Sequence, residues 1–217
     1  MMWVFDAYGT LWNVSRIEAA VQRAQVPDSA RFLSLWRQKQ LEYAFLRTVM
    51  GDYAPFSTVT QDALEYCLAV FGIAMSPLDQ DALLHAWFHP QAFEDAHEFL
   101  QSLEGEQRWI LSNGDPAMLA AGVEATRWQD CLEGWISVDQ ARRYKPHPDA
   151  YRLVAETTKA SLEDVIFVSS NGWDVAGATR FGFRTIWVNR RGTPPDRLGV
   201  NPWRVVRSLS DLHGGRR

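Results

Sequence analysis

Blocks of like charge, long apolar runs and paired cysteines are all missing from this chain, and each absence removes a class of function. Its 22 Lys and Arg residues nearly balance 26 Asp and Glu, for a formal net charge of −4. No basic stripe marks a nucleic-acid surface, and the terminal Gly214-Gly215-Arg216-Arg217 is too short to make one, so no nucleic-acid partner is expected. The apolar runs are too short to span a bilayer, and the first of them meets Asp6 too soon to read as a signal peptide. No membrane partner is expected, and the expected location is the cytoplasm. Cys67 and Cys131 stand singly in apolar surroundings without CxxC spacing, which reads as two buried thiols in a reducing compartment.

What is present is enough apolar material for a sizeable core: 217 residues, 47% of them hydrophobic. The run Met2-Trp3-Val4-Phe5 reads as a buried strand that delivers Asp6 into a turn, with Gly9 allowing the sharp reversal. The pattern then turns helical over 14–25, over 28–51 between Pro27-Asp28-Ser29 and Gly51, after Ser57 as far as Gly72, and after Ser76-Pro77 to about Trp87. From residue 94 helices alternate with strands, at 108–112, 135–138, 165–169 and 185–188. The expected fold is α/β, a doubly wound and mainly parallel sheet, with residues 1–13 and 89–217 as the core domain and 14–88 as an inserted helical cap domain.

Four of the expected strands lead into polar clusters: Asp6 with Tyr8 and Thr10; Ser112-Asn113-Gly114-Asp115; Tyr144-Lys145-Pro146; and Ser169-Ser170-Asn171 with Asp174. Singly, each has a structural explanation as a turn, a helix cap or a solvated lysine. All four in this order, each after a buried strand, favour one pocket at the carboxyl edge of the sheet, where open α/β folds bind ligands. The residue types then assign themselves. Asp6 is the candidate nucleophile, since no cysteine or serine–histidine pair competes with it. Lys145 would keep it ionised, Thr10 and the turn amides would hydrogen-bond it, and Ser112 with Asn113 would cradle an anion. Asp174 is left to position or deprotonate a water.

These four clusters resemble those of the haloacid dehalogenase superfamily. Phosphatases of that superfamily carry a second aspartate two positions after the nucleophile and an acidic pair in the fourth motif that holds magnesium. Here Tyr8 takes the first place, and Ser169-Ser170-Asn171-Gly172-Trp173-Asp174 offers one acid where two are needed. A magnesium ion would lack its oxygen ligands and a phosphate ester its leaving-group acid. The pattern is similar instead to the L-2-haloacid dehalogenases, whose reaction needs no metal. Trp36-Arg37-Gln38-Lys39-Gln40-Leu41-Glu42-Tyr43 matches a cap helix of that family.

The resemblance implies a HAD-like Rossmannoid core and places Asp6, Thr10, Arg37, Lys145, Tyr151, Ser169, Asn171 and Asp174 in catalysis. It places Tyr8, Arg37, Leu41, Phe56, Ser112, Asn113 and Trp173 around the substrate, with Arg37, Asn171 and Trp173 as candidates for the halide side. It implies a small 2-haloacid as substrate, halide as a product, no cofactor, no metal site and a homodimer. The alternatives are a superfamily phosphatase with an atypical metal site and a non-catalytic module that binds a small carboxylate. Asp115 stands where these dehalogenases often have serine or threonine, and is expected to cap the following helix. His85 and His89 have metal-ligand spacing but no acidic or cysteine support, so they read as surface or packing residues. Most of the ten tryptophans are expected in the core and at the cap interface.

Overall fold

The computed structural model describes residues 1–212; the basic end noted above, Gly214 to Arg217, lies outside the described residues. In chain order the elements are β1 (Met2–Phe5), α1 (Glu18–Arg23), α2 (Ser29–Met50), α3 (Phe56–Phe71), α4 (Pro77–Phe88), α5 (Glu94–Ser102), β2 (Gln107–Ser112) and α6 (Pro116–Thr126). After these come β3 (Gly134–Ser137), α7 (Pro148–Thr158), β4 (Val165–Ser169), α8 (Gly172–Phe181), β5 (Arg184–Val188) and β6 (Arg204–Val206). The six strands form one sheet in the order β3-β2-β1-β4-β5-β6. Every pair in it is parallel.

The apolar character of β1 suits the middle of such a sheet, because a central parallel strand is buried on both faces. Phe5 lies in register with Ile110 on one side and Val168 on the other. The chain leaves β1 toward β2 and β3, then crosses back to β4, so β1 ends where the strand order reverses. That crevice is the usual ligand position of an open α/β sheet, and Asp6 is the first residue beyond the strand. Its amide donates to the Val168 carbonyl at 2.9 Å, which continues the ladder and fixes the direction of the side chain.

Residues 14–88 are helical, with no named strand among them. Asp28 caps α2 through the Arg31 amide, and Gly51 ends it with a φ of +71°, a conformation glycine adopts without strain. Ser76 caps α4 with Pro77 at its first turn. An aromatic chain joins this block to the sheet: Phe32 meets Trp36 at 6.2 Å, Trp36 meets Trp87 at 5.5 Å, Trp87 meets Tyr8 at 5.8 Å, and Tyr8 meets Trp12 at 5.0 Å. Trp12 in turn lies so close over Gly122 of α6 that a Cβ there would come within 2.5 Å of the indole. Trp12, Trp36, Trp87 and Trp128 are buried, whereas Trp203 is exposed beside Arg184.

Several boundaries differ from the sequence expectation. β3 stops at Ser137 instead of running to 138, because the Ser137 hydroxyl accepts the Asp139 amide and donates to the Gly114 carbonyl, starting a short turn of helix. α3 begins at Phe56, ahead of the expected start after Ser57, since the Ser57 amide has a cap from outside its own segment: the carboxylate of Asp115, at 2.9 Å. Asp115 also caps α6 through the Met118 amide. Cys67 is buried as expected, but Cys131 is only half-buried. β6 has three residues after a proline-containing connection and carries no periodic signal of its own.

Candidate active site

The carboxyl ends of β1, β2 and β4 supply the polar residues at the crevice, and the segment after β3 supplies Lys145. Asp6 is 5% exposed, while Lys145 and Asp174 are fully buried. The Lys145 ammonium lies between the two carboxylates, 2.8 Å from Asp6 Oδ1 and 2.7 Å from Asp174 Oδ2, and donates a third bond to the Leu111 carbonyl. Burial is the largest influence on Lys145 and works against its charge. Asp174 and Asp6 together more than offset it, so the ammonium holds its proton more tightly than an ordinary lysine.

The other oxygen of Asp6 accepts from Thr10 Oγ1 at 2.9 Å and from Asn171 Nδ2 at 2.8 Å, with Ser169 Oγ at a long 3.5 Å. Thr10 is itself oriented, because its oxygen accepts the Ser170 amide at 2.8 Å and so turns its proton toward Asp6. Gly9, at φ +91°, lets the turn close against Ser170 and Asn171. Asp174 is held on its second oxygen by the Tyr151 hydroxyl at 2.8 Å. Burial pushes the Asp174 carboxyl up to about 6, with Lys145 opposing the shift and Asp6 adding to it. Seven of the eight expected catalytic residues therefore fall into one hydrogen-bonded group around Asp6. Asn171, considered for the halide side, donates to the Asp6 carboxylate because its amide also spans to the Tyr8 carbonyl.

The eighth, Arg37, comes down from α2. It lines a small pocket with Asp6, Tyr8, Leu41, Phe56, Ser112, Asn113 and Trp173. These are Asp6 and every residue expected around the substrate. The Arg37 guanidinium is weakly tethered: it lies 5.8 Å from the Trp87 ring and 3.5 Å from Gln40 Oε1. Burial draws its pKa down, with the charge of Asp6 opposing that. The fully buried Gln40, which sequence reasoning passed over, donates to Thr60 on α3 and so keeps its oxygen toward Arg37. An amide one helical turn from Arg37 was its only local signal.

Two further residues have clear local roles. Tyr8, at the position of the missing second acid, turns its hydroxyl away from Asp6 and donates to the Trp87 carbonyl of α4 at 2.7 Å. Burial, and then the charge of Asp115, push its pKa far up, so it is a neutral phenol at every working pH. Asn113 accepts the Lys145 amide on its oxygen, which leaves its NH2 for a ligand. The stacked rings of His85 and His89 lie elsewhere, at the end of α4. Among the described residues no group of three or more His, Cys, Asp or Glu is arranged to hold a metal ion.

Comparison with known proteins gives the family. Residues 3–182 match the family model of haloacid dehalogenase-like hydrolases. The chain is 43% identical over 187 residues to an (S)-2-haloacid dehalogenase of Xanthobacter autotrophicus, covering 86% of this chain and 74% of that protein. It is 40% identical over 214 residues to (S)-2-haloacid dehalogenase 4A of Burkholderia cepacia, covering 96% and 91% of the two. A solved structure of the L-2-haloacid dehalogenase from X. autotrophicus with chloropropionic acid covalently bound superposes with a TM-score of 0.93 at 37% identity, over 98% of this chain and 97% of that one. Sequence, fold and matched relatives place the chain among the L-2-haloacid dehalogenases of the haloacid dehalogenase-like hydrolase family, to which it belongs.

Proposed function

We propose that this protein hydrolyses small L-2-haloalkanoic acids to 2-hydroxy acids with inversion at C2, without a metal, through an ester on Asp6. The observation that carries this reading is a buried, fully oriented carboxylate at the wall of a pocket whose other walls are apolar except for Arg37, Ser112, Asn113 and the neutral Tyr8. The relative with chloropropionic acid covalently bound supports it.

Asp6 attacks C2 from the side opposite the halogen, and the carbon–halogen bonding pair leaves with the halide. Ser112 and the Asn113 amide hold the substrate carboxylate, Leu41, Phe56 and Trp173 enclose its alkyl group, and Arg37 stabilises the departing anion without giving up a proton. Water then adds to the Asp6 ester carbon and loses one proton to Asp174, which passes it to the C2 oxygen as that oxygen leaves, while the second proton of the water goes to solvent as Asp6 returns to its carboxylate. The donors already on Asp6, Lys145 on one oxygen and Thr10 with Asn171 on the other, stabilise the charge that returns there. Collapse releases the 2-hydroxy acid. Helices of residues 14–88 act in this reading as the cap that closes over the acid and excludes bulk water.

Metal independence is supported by the donor set. Both site carboxylates are already spanned by the Lys145 ammonium, and the neutral Tyr8 supplies no anionic ligand. Halide release from L-2-chloropropionate, undiminished in EDTA, with D-lactate as product, is the expected outcome. Phosphate release that depends on magnesium would point to a phosphatase instead. Tight binding of the acid with neither activity would point to a carboxylate-binding module.

The pH dependence has a definite sign. Turnover needs Asp174 as a carboxylate, so activity falls as pH drops through about 6. The Tyr151 hydroxyl holds that value down by donating to the carboxylate. Tyr151→Phe therefore shifts the acidic limb of the rate profile to higher pH. A limb that stays put or moves to lower pH would refute the assignment of Asp174.

Assembly as a homodimer is part of the same proposal. Val49 and Met50 at the end of α2 are 84% and 66% exposed, with Leu46, Tyr66 and Val70 exposed on the same helix pair. Apolar side chains exposed to water along a helix pair favour an apolar partner. Sedimentation equilibrium returning a monomer at micromolar concentration would count against it.

A further inference from the structure

The geometry points to Arg190 as a positioning residue for the nucleophile, holding Thr10 by its carbonyl so that the Thr10 hydroxyl stays aimed at Asp6. This inference rests on the proposed dehalogenase reaction. Arg190 follows β5, outside all four sequence clusters, and no local pattern marks it. Its guanidinium makes a two-pronged pair with Asp95 at the start of α5, at 2.9 and 3.0 Å, and the second prong also donates to the Thr10 carbonyl at 3.0 Å. It lies 3.8 Å from the centre of the Phe93 ring. Asp95 is fixed as well, accepting the Leu209 amide at 2.8 Å. Side-chain exposure of only 16% for Arg190 and 12% for Asp95 shields the pair from solvent, unlike a surface ion pair.

The consequence for the site follows from connectivity. The Asp6–Thr10 turn is held by the Ser170 amide and hydroxyl on one side. On the other, the Phe93 amide donates to the Leu11 carbonyl and Arg190 takes the Thr10 carbonyl. The Thr10 peptide thus has its oxygen anchored from the α5 side while its side chain reaches Asp6 at 2.9 Å. Without the guanidinium the carbonyl of the buried Thr10 loses its donor, and rotation of that peptide carries the hydroxyl off Asp6. Lysine cannot replace it fully, because it lacks the planar fork that serves Asp95 and Thr10 together.

A double-mutant cycle on halide release tests this. Arg190→Gln is expected to lower kcat about 10- to 100-fold with KM for L-2-chloropropionate within about twofold, as for a misplaced catalytic group. In a Thr10→Val background, where no hydroxyl remains to be aimed, the same substitution is expected to cost less than about threefold. Arg190→Lys is expected to fall between, and serves as the measured variant if Arg190→Gln does not fold. Equal fold losses in both backgrounds, or a raised KM at unchanged kcat, would overturn the inference. If the unaltered protein releases no halide, the dehalogenase reading fails, and a crystal structure of the Arg190 variant decides the positioning role. Thr10 Oγ1 out of hydrogen-bond reach of Asp6 supports it, and retention near 2.9 Å overturns it.

Discussion

Replacing Asp6 by Asn is expected to reduce halide release by on the order of 10⁴-fold or more, as removal of a covalent nucleophile does when the rest of its machinery is intact. The change is nearly isosteric, so the pocket and its apolar walls remain. What disappears is the charge that attacks C2. The amide also meets the wrong partner: if its oxygen stays with Thr10 and Asn171, its NH2 faces the Lys145 ammonium, donor against donor. A single turnover of the unaltered protein in heavy-oxygen water is the companion measurement. The first hydroxy acid formed should carry ordinary oxygen, taken from Asp6, with the heavy isotope left in the protein. An Asp6→Asn protein that keeps its rate, shown by mass to be free of deamidation, would sink the nucleophile assignment.

Lys145→Ala should be nearly as damaging to activity and far more damaging to the fold. The Lys145 side chain and those of both its partners are buried, so removing it leaves two buried carboxylates facing one another without a counter-charge. Losing one member of such a buried group costs about 3–5 kcal/mol. The loss depends on pH. Asp174, already pushed up by burial with Lys145 in place, rises further once the opposing ammonium is gone. A carboxyl whose folded pKa is raised stabilises the fold below its unfolded value and loses that contribution as pH climbs through the folded one. The destabilisation of Lys145→Ala relative to the unaltered protein is therefore expected to be greater at pH 8 than at pH 5 in urea unfolding. An equal loss at both pH values would show that the two carboxylates are not coupled through the lysine.

The parts of this molecule that could be read from the sequence share one property: they announce themselves within a few residues. β1 is a short apolar run broken by Asp6, and β4 is a buried run broken by Ser169. Ser76-Pro77 and Gly51 punctuate helices by chemistry that acts locally. The polar group around Asp6 was legible because most of its residues follow successive strands, and a parallel sheet collects such ends on one edge. The parts that escaped are contacts between distant segments. Arg190 and Asp95 are 95 residues apart, and Ser57 and Asp115 are 58 apart. Nothing in the neighbourhood of either partner encodes the other. β6 escaped for another reason, since three residues with one buried side chain make no alternation to detect. The direction of the Tyr8 hydroxyl could not be read at all. Its residue type excluded a second aspartate, but only the helix packed above it shows that the phenol binds Trp87.

The double use of Asp115 also has a kinetic meaning. One carboxylate fastens the first turn of α6, beside the anion cradle, and the first turn of α3, in the helices that cover the pocket. Separating those helices from the sheet must break the charge-assisted bond to the Ser57 amide. Exchange of that single proton with solvent consequently reports each breaking of this link between the two segments, whether by fraying of the first turn of α3 or by their separation.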